Sequence, residues 1–158
     1  MKILFAGEGG QGVQVIAEIL TRAAIDEGKK ATYIPNFGVE QRGGVSLAFV
    51  IIEDKPVVYP KFEKADLLAV LSDRSWDRVE PYVDAKTIVI KGPAMKDGLQ
   101  SSLSPKVWNI VVLGHLNRTG KIVNQEFLAK AMENRFAKQF KMKPDLRDLD
   151  NQALQELK

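Results

Sequence analysis

The stretch Gly7-Glu8-Gly9-Gly10-Gln11-Gly12 follows directly on the apolar run Ile3-Leu4-Phe5-Ala6 and predicts a strand, a glycine turn and the start of a helix. Glycine adopts positive φ easily and carries no Cβ, so such a turn lets another group approach its backbone N–H donors. The helix predicted from Val13 to Glu27 would add the partial positive charge of its N-terminus to those donors. The stretch therefore indicates an α/β fold with an anion site at its first turn.

The spacing of Gly7, Gly9 and Gly12 matches the G-x-G-x-x-G fingerprint of dinucleotide-binding folds. That fingerprint is completed by an acidic residue about 20 residues further on, at the end of the second strand, which binds a ribose hydroxyl. Here the second strand ends in Pro35-Asn36 instead. The missing acid argues against NAD, and it leaves open a stand-alone Rossmann-like nucleotide-binding oxidoreductase or a non-catalytic interaction domain.

The composition limits the classes of protein that this chain can represent. Its 158 residues suit a single domain, 1–158, with its own core. Cysteine is absent and His115 is the only histidine, which excludes disulfides, thiolate catalysis and protein-held iron–sulfur clusters and argues against a metal site. The N-terminus lacks the pattern of a signal peptide or a membrane span, so we expect a cytoplasmic protein. The net charge of +3 is small, and we expect neither a nucleic-acid nor a membrane partner.

Apolar periodicity and turn residues predict the remaining elements. Strands are expected at 31–35, 45–52, 67–71 and 87–90, and helices at 106–116 and 124–140. A turn at 53–56 predicts a hairpin to a short strand at 57–59, and residues 91–104 are expected to form a surface loop whose order could depend on a partner. This order predicts a three-layer, Rossmann-like α/β fold with a mostly parallel sheet and one β-hairpin insertion.

A second unusual loop, from Pro35 to Gly44, follows the second strand. Loops at the carboxyl ends of neighbouring strands share one edge of an open α/β sheet, so we expect this loop to lie beside the glycine turn. Arg42 would bring a bidentate donor for anions to that edge, with Glu40 as its partner or orienting group. Alternatively, Arg42 pairs with Glu8 or Glu40 and only holds the two loops together.

With both loops considered, the chain resembles the gamma subunit of the 2-oxoacid:ferredoxin or flavodoxin oxidoreductases, a group that includes the pyruvate, 2-oxoglutarate and indolepyruvate enzymes. The resemblance covers essentially the whole chain and depends on the two loops in this order and at this spacing. The matching positions are Gly7, Gly9, Gly10, Gln11, Gly12, Gly28-Lys29, Phe37-Gly38, Glu40, Arg42-Gly43-Gly44, Pro60, Ala65-Asp66, Asn109, Leu113-Gly114, Asn151 and Ala153-Leu154.

The resemblance implies one subunit of an enzyme that oxidatively decarboxylates a 2-oxoacid to an acyl-coenzyme A and passes the electrons to ferredoxin or flavodoxin. In that family the alpha and beta subunits hold thiamine diphosphate with Mg, and the beta or a delta subunit holds the iron–sulfur clusters. This chain would then hold no cofactor by itself and be inactive alone, and the isolated subunit could form a homodimer.

The candidate site has no catalytic or metal-binding member. It comprises Gly7, Gly9, Gly10, Gln11, Gly12, Glu40, Arg42 and Gly43. The resemblance and the amide-rich loops together suggest a cradle for the phosphates of coenzyme A. The alternative is that the same glycines permit close approach of an alpha-subunit backbone, with Arg42 bridging the interface.

Overall fold

The computed structural model describes residues 1–37, 44–97 and 105–156, and these contain five strands and six α-helices. In chain order they are β1 (Lys2–Glu8), α1 (Val13–Asp26), β2 (Lys30–Phe37), β3 (Val45–Glu53), β4 (Leu67–Val70), α2 (Trp76–Val79), β5 (Ile88–Lys91), α3 (Gly92–Asp97), α4 (Trp108–Gly120), α5 (Gln125–Met142) and α6 (Pro144–Gln155). Short 3₁₀ turns flank α2 (Asp73–Ser75 and Glu80–Tyr82) and precede α4 (Pro105–Val107). No helix among these residues has both the length and the apolar character needed to cross a bilayer.

β1 is the central strand of a five-stranded sheet with the order β2-β3-β1-β4-β5. It pairs in parallel with β4, which in turn pairs in parallel with β5, and it pairs antiparallel with β3. The four residues of the apolar run, Ile3-Leu4-Phe5-Ala6, are completely buried. A run that is apolar at every position is typical of a strand that is covered on both faces, so the expectation for β1 is confirmed.

The mostly parallel sheet that the sequence predicts is only partly correct. β2 pairs antiparallel with β3, so β3 alone runs against the other four strands, and it separates β2 from β1. The chain therefore has its hairpin between β2 and β3. The hairpin and strand expected at 53–59 are wrong, because both edges of β3 are already paired and offer no free hydrogen-bonding groups to a further strand.

Helical layers cover the two faces of the sheet, in agreement with the three-layer prediction. Alternate side chains of β1 point to opposite faces, so Ile3 and Phe5 pack against α1, α4 and α5, whereas Leu4 and Ala6 face α2 and the segment that contains Phe62. On this second face the ring of Phe49 makes edge-on contacts with Phe62 and Tyr82, at centroid distances of 5.3 and 5.4 Å.

Residues 92–97 form α3 and not the loop that the sequence predicts, whereas residues 98–104 lie outside the described residues. Pro93 is acceptable because the first turn of a helix does not need its missing N–H. Gly92 is required by packing, since a Cβ at this position would lie 2.6 Å from the ring of Trp108. The glycine and the proline that suggested a loop are thus both compatible with the first turn of a short helix.

α6 packs closely on α4 through Gly114. A Cβ at Gly114 would lie 2.3 Å from the carbonyl oxygen of Leu154, a backbone atom that cannot move without the helix. Arg118, one turn further along α4, donates a hydrogen bond of 2.9 Å to the same oxygen. The missing side chain therefore lets the C-terminal turn of α6 dock directly on α4.

Replacing Gly114 by alanine should destabilise the subunit despite the better helix propensity of alanine. Propensity would favour alanine by about 1 kcal/mol. Overpacking against a helix backbone opposes this, and we expect a net loss of roughly 1–2 kcal/mol in the free energy of unfolding. Urea unfolding followed by circular dichroism measures the difference. Thr119→Ala, at an exposed position of the same helix, is the matched control, and equal stability of the two variants would contradict the close contact.

Asp150 is the one acidic residue among the buried polar side chains of the described residues, with 4% of its surface exposed on α6. Burial disfavours the charged carboxylate, and it raises the pKa of Asp150 to about 6. The unfolded chain has the lower, ordinary pKa, so the folded state binds the proton more tightly. The contribution of Asp150 to the free energy of unfolding should therefore fall as the pH rises from about 4 to 6. Above this range the contribution should stay constant.

Asp150→Asn should stabilise the protein at neutral pH but not in acid. The neutral amide avoids the burial of a charge, and a shift of this size corresponds to a gain on the order of 2 kcal/mol at pH 7.5. Near pH 3 the wild-type carboxyl group is protonated in both the folded and the unfolded state, and the two proteins should unfold at similar urea concentrations. Urea titrations at both pH values test this. A gain that is the same at both would show that ionisation of Asp150 is not its cause.

Candidate functional site

The glycine turn connects the end of β1 to the start of α1. Gly10 and Gly12 have φ angles of 92° and 81°, in the left-handed region where a side chain would be strained, and Gly12 is the N-cap of α1. Gln11 closes the turn from both sides, because its N–H donates to the carbonyl of Glu8 at 3.2 Å and its Oε1 accepts from the N–H of Glu8 at 2.9 Å. The turn is therefore held in shape by the protein itself.

The end of the second loop lies beside the glycine turn. The N–H of Gly9 donates to the carbonyl of Gly44 at 3.1 Å, which joins the glycine turn to the start of β3. Glu40, Arg42 and Gly43 lie outside the described residues, so their contacts with the turn stay a prediction.

The remaining predicted site residues divide into two groups. Gly7 is buried at the end of β1, where a Cβ would lie 2.7 Å from Oε1 of Gln11, so its role is to leave room for the turn. Gly10, Gln11 and Gly12 instead line an open cleft beside the turn. Within the described residues, the amides of Gly10 and Gly12 have no recorded hydrogen bond, so both N–H groups are available as donors.

The cleft has a volume of about 620 Å³ and lies at the carboxyl ends of β1 and β4. Besides the turn, its described lining includes Ser72, Arg74, Lys106, Trp108 and Asn109. A Cβ on Gly12 would lie 2.3 Å from Nδ2 of Asn109, so the first turns of α1 and α4 are in direct contact at the cleft wall. Two helix N-termini, each with a partial positive charge, therefore meet at one site.

Charged side chains add to this field. Arg74 and Lys106 are exposed at the cleft, together with one acidic residue, Asp73. Arg74 binds Glu8 through an NH1–Oε1 distance of 2.7 Å, and the hydroxyl of Ser72 donates to the other carboxylate oxygen of Glu8, also at 2.7 Å. The described partners of the Glu8 side chain are therefore residues that follow β4. The arrangement can bind an anionic group of a small molecule.

Sequence reasoning missed the cleft residues that come from outside the two loops. Ser72 and Arg74 directly follow β4, and Lys106 precedes α4. The sequence did contain a signal for Ser72 and Arg74, since both follow a predicted strand. Loops at the carboxyl ends of parallel strands meet at one edge of the sheet. Asn109 was noted only for its resemblance to a family position, and its contact with Gly12 gives that position a structural reason.

The chain is similar to known proteins over most of its length. Residues 2–145 match the family described as pyruvate ferredoxin/flavodoxin oxidoreductase. Among curated proteins, the 2-oxoglutarate synthase subunit KorC of Methanocaldococcus jannaschii is 32% identical over 83% of this chain and 81% of its own length.

Two solved structures share the fold over nearly all of this chain. The gamma subunit of a keto/oxoacid ferredoxin oxidoreductase from Geobacter sulfurreducens superposes with a TM-score of 0.71 and 25% identity, and the match covers 98% of this chain and 94% of that one. The 2-oxoglutarate:ferredoxin oxidoreductase of Magnetococcus marinus superposes with a TM-score of 0.75 over the whole of this chain and 31% of a longer one. At 14% identity the latter shows the fold alone.

The resemblance inferred from the two loops is thus confirmed, and family membership weighs against a stand-alone nucleotide-binding oxidoreductase. The chain belongs to the pyruvate ferredoxin/flavodoxin oxidoreductase family and is a gamma subunit of a 2-oxoacid:ferredoxin oxidoreductase complex.

Proposed function

We propose that this subunit binds the phosphorylated part of coenzyme A at the cleft beside the glycine turn and presents the thiol to a catalytic centre on its partner subunits. The observation that supports this most directly is the meeting of two helix N-termini and two basic side chains, Arg74 and Lys106, at one cleft. Coenzyme A is the co-substrate that the formation of an acyl-coenzyme A requires. Its phosphates are the kind of anion that such a site favours.

The size and chemistry of the cleft suit this ligand. Small-molecule sites have volumes of roughly 300–1,000 Å³, and the cleft is within this range at about 620 Å³. The amides of Gly10 and Gly12 supply neutral donors, Lys106 supplies a point charge, and the ring of Trp108 supplies an apolar wall. In this proposal Glu40, Arg42 and Gly43 complete the rim from the neighbouring loop, with Arg42 as a second guanidinium donor.

The redox and decarboxylation chemistry belongs, in this proposal, to other subunits. The chain has no cysteine to ligate an iron–sulfur cluster. Within the described residues, no group of acidic or histidine side chains is placed to hold a metal ion. We therefore assign thiamine diphosphate, Mg and the clusters to alpha, beta or delta subunits, which pass electrons to ferredoxin or flavodoxin, and we expect the isolated chain to be inactive.

A contact with these partners is supported at the segment between β3 and β4. Val58 and Tyr59 are 95% and 73% exposed, and they lie between Pro56 and Pro60 in a stretch without regular structure. Large apolar side chains held out into solvent are typical of interaction sites, and tyrosine is enriched among the residues that dominate binding energy. We assign this segment to the interface with the catalytic core.

Lys106→Ala and Arg42→Ala should each weaken the use of coenzyme A by the assembled enzyme. Loss of one charged contact to a phosphate raises the KM for coenzyme A by about five- to tenfold. The KM for the 2-oxoacid should not change, because that substrate reacts on another subunit. Steady-state kinetics of the reconstituted complex, with coenzyme A and the 2-oxoacid varied in turn, measure both constants.

Lys130→Ala, at an exposed position of α5, provides the control for loss of a surface lysine. Size-exclusion chromatography of each complex separates a binding defect from an assembly defect. An unchanged KM for coenzyme A combined with loss of assembly would refute the cradle and support the alternative, in which the glycine loops contact the alpha subunit.

Tyr59→Ala and Val58→Ser should weaken assembly without affecting the fold of the subunit. Truncation of an aromatic side chain at an interface raises the dissociation constant, by about tenfold or more for an energetically important residue. Since both side chains are exposed, the urea midpoint of the isolated subunit should stay constant. Titration of the labelled subunit against its partners measures the affinity. Met142→Ser, at a 74% exposed apolar residue on α5, is the control.

A further inference from the structure

Glu8 is an acidic residue at the edge of a cleft whose two helix N-termini and two basic side chains favour anions. Its side chain is 20% exposed, and both carboxylate oxygens are engaged, one by Ser72 and one by Arg74. Its backbone N–H and carbonyl are bound by Gln11. Glu8 is therefore fixed in position by the same turn that shapes the cleft. A side chain that binds its carboxylate is held in a defined position.

Arg74 is the exposed partner of this pair. Its side chain is 78% exposed and lines the cleft. A guanidinium group carries five N–H donors in a planar fork, and the structure records one hydrogen bond from it within residues 1–37, 44–97 and 105–156, to Glu8. The remaining donors can bind a second anion while the contact with Glu8 is kept. An arginine with one edge on a fixed carboxylate is a preorganised phosphate ligand.

We propose that Arg74, oriented by Glu8, binds a phosphate of coenzyme A and makes the cleft select a phosphorylated thiol. The inference rests on the proposed function of the cleft and specifies which side chain binds the phosphate. Without Glu8 the long, exposed side chain of Arg74 would sample many rotamers, and ordering it on binding would reduce the affinity. Glu8 is thus a positioning residue, although its own charge has the same sign as that of the ligand.

The electrostatic balance supports this assignment. The charge of Glu8 is compensated by Arg74 at 2.7 Å, so the pair adds little net charge to the cleft. The positive field comes from Lys106 and from the first turns of α1 and α4, and the exposed carboxylate of Asp73 offsets part of it. A phosphate that approaches Arg74 would complete a chain of carboxylate, guanidinium and phosphate, in which each contact is a charge-assisted hydrogen bond.

Arg74→Ala in the assembled enzyme should raise the KM for coenzyme A by about tenfold, since a charged hydrogen-bonded contact is lost. The kcat and the KM for the 2-oxoacid should be unchanged, and Arg74→Lys should restore part of the affinity. If Arg74 binds the 3′-phosphate, the defect disappears with dephospho-coenzyme A. If it binds the diphosphate, the defect remains with that substrate. Both results support the proposal, whereas an unchanged KM for coenzyme A overturns it.

Arg22→Ala is the matched control, because Arg22 is another exposed arginine paired with a carboxylate, that of Asp26 at 2.9 Å, and it lies outside the cleft lining. It should leave all kinetic constants unchanged. Assembly and the urea midpoint of each variant are measured in parallel, so that a folding defect is recognised. An equal rise in the KM for coenzyme A in the Arg22 and Arg74 variants would also overturn the proposal.

The role of Glu8 is tested by a double-mutant cycle with Glu8→Gln, which keeps a hydrogen-bond acceptor but removes the charge. In the wild-type background the KM for coenzyme A should rise about threefold, and in the Arg74→Ala background it should not rise further. A merely structural role would give the same change in both backgrounds. A fall in the KM after Glu8→Gln would show that Glu8 competes with the ligand, and would overturn its role in positioning Arg74.

These results are separable from a failure of the proposed function. If the Lys106 and Arg42 variants raise the KM for coenzyme A but the Arg74 variant does not, the cleft binds coenzyme A and only the assignment of Arg74 is wrong. If none of the three variants changes this KM, coenzyme A does not bind at the cleft, and both proposals are refuted.

Discussion

The burial of β1 from Ile3 to Gly7 is the constraint on which the rest of the structure depends. The strand is paired on both sides, by β3 and β4, and covered on both faces, so its direction and its end point cannot vary. The chain must leave the sheet immediately after Glu8, and glycines with positive φ allow it to turn sharply into α1. The position of the turn, the N-terminus of α1 and the wall of the cleft all follow from this single strand.

The cleft combines a favourable field for anions with an acidic residue at its edge. A carboxylate beside an anion site would weaken it unless its charge were compensated, and Ser72 and Arg74 provide the compensation. The compensation comes from the segment that follows β4, the parallel neighbour of β1, since the carboxyl ends of parallel strands lie at the same edge. The same contact that stabilises the edge of the sheet thereby places a guanidinium group at the cleft.

Local patterns were sufficient to predict most elements but not how they pair. The apolar runs of β1, β3 and β4 and the periodicity of α1, α4 and α5 identified these elements within a few residues. The pairing of β3 with β1 was missed. A run that is apolar at every position predicts a strand buried on both faces, but it does not indicate which strands lie beside it or in which direction they run. No strand forms at 57–59, because both edges of β3 are already paired. Gly92 and Pro93 suggested a loop in place of α3, but packing requires the glycine and the first turn of a helix tolerates the proline.

By itself, the sequence determined the α/β class, the glycine turn at the end of a buried strand and the family to which the chain belongs, because each of these depends on residue types at short, fixed spacings. Only the tertiary structure decided that β3 enters the sheet between β2 and β1, and that Arg74 and Lys106 share a cleft with the turn. Glu8 and Arg74 are 66 residues apart in the chain. Contacts over such separations depend on strand order, which the packing of the whole sheet sets and no local pattern contains.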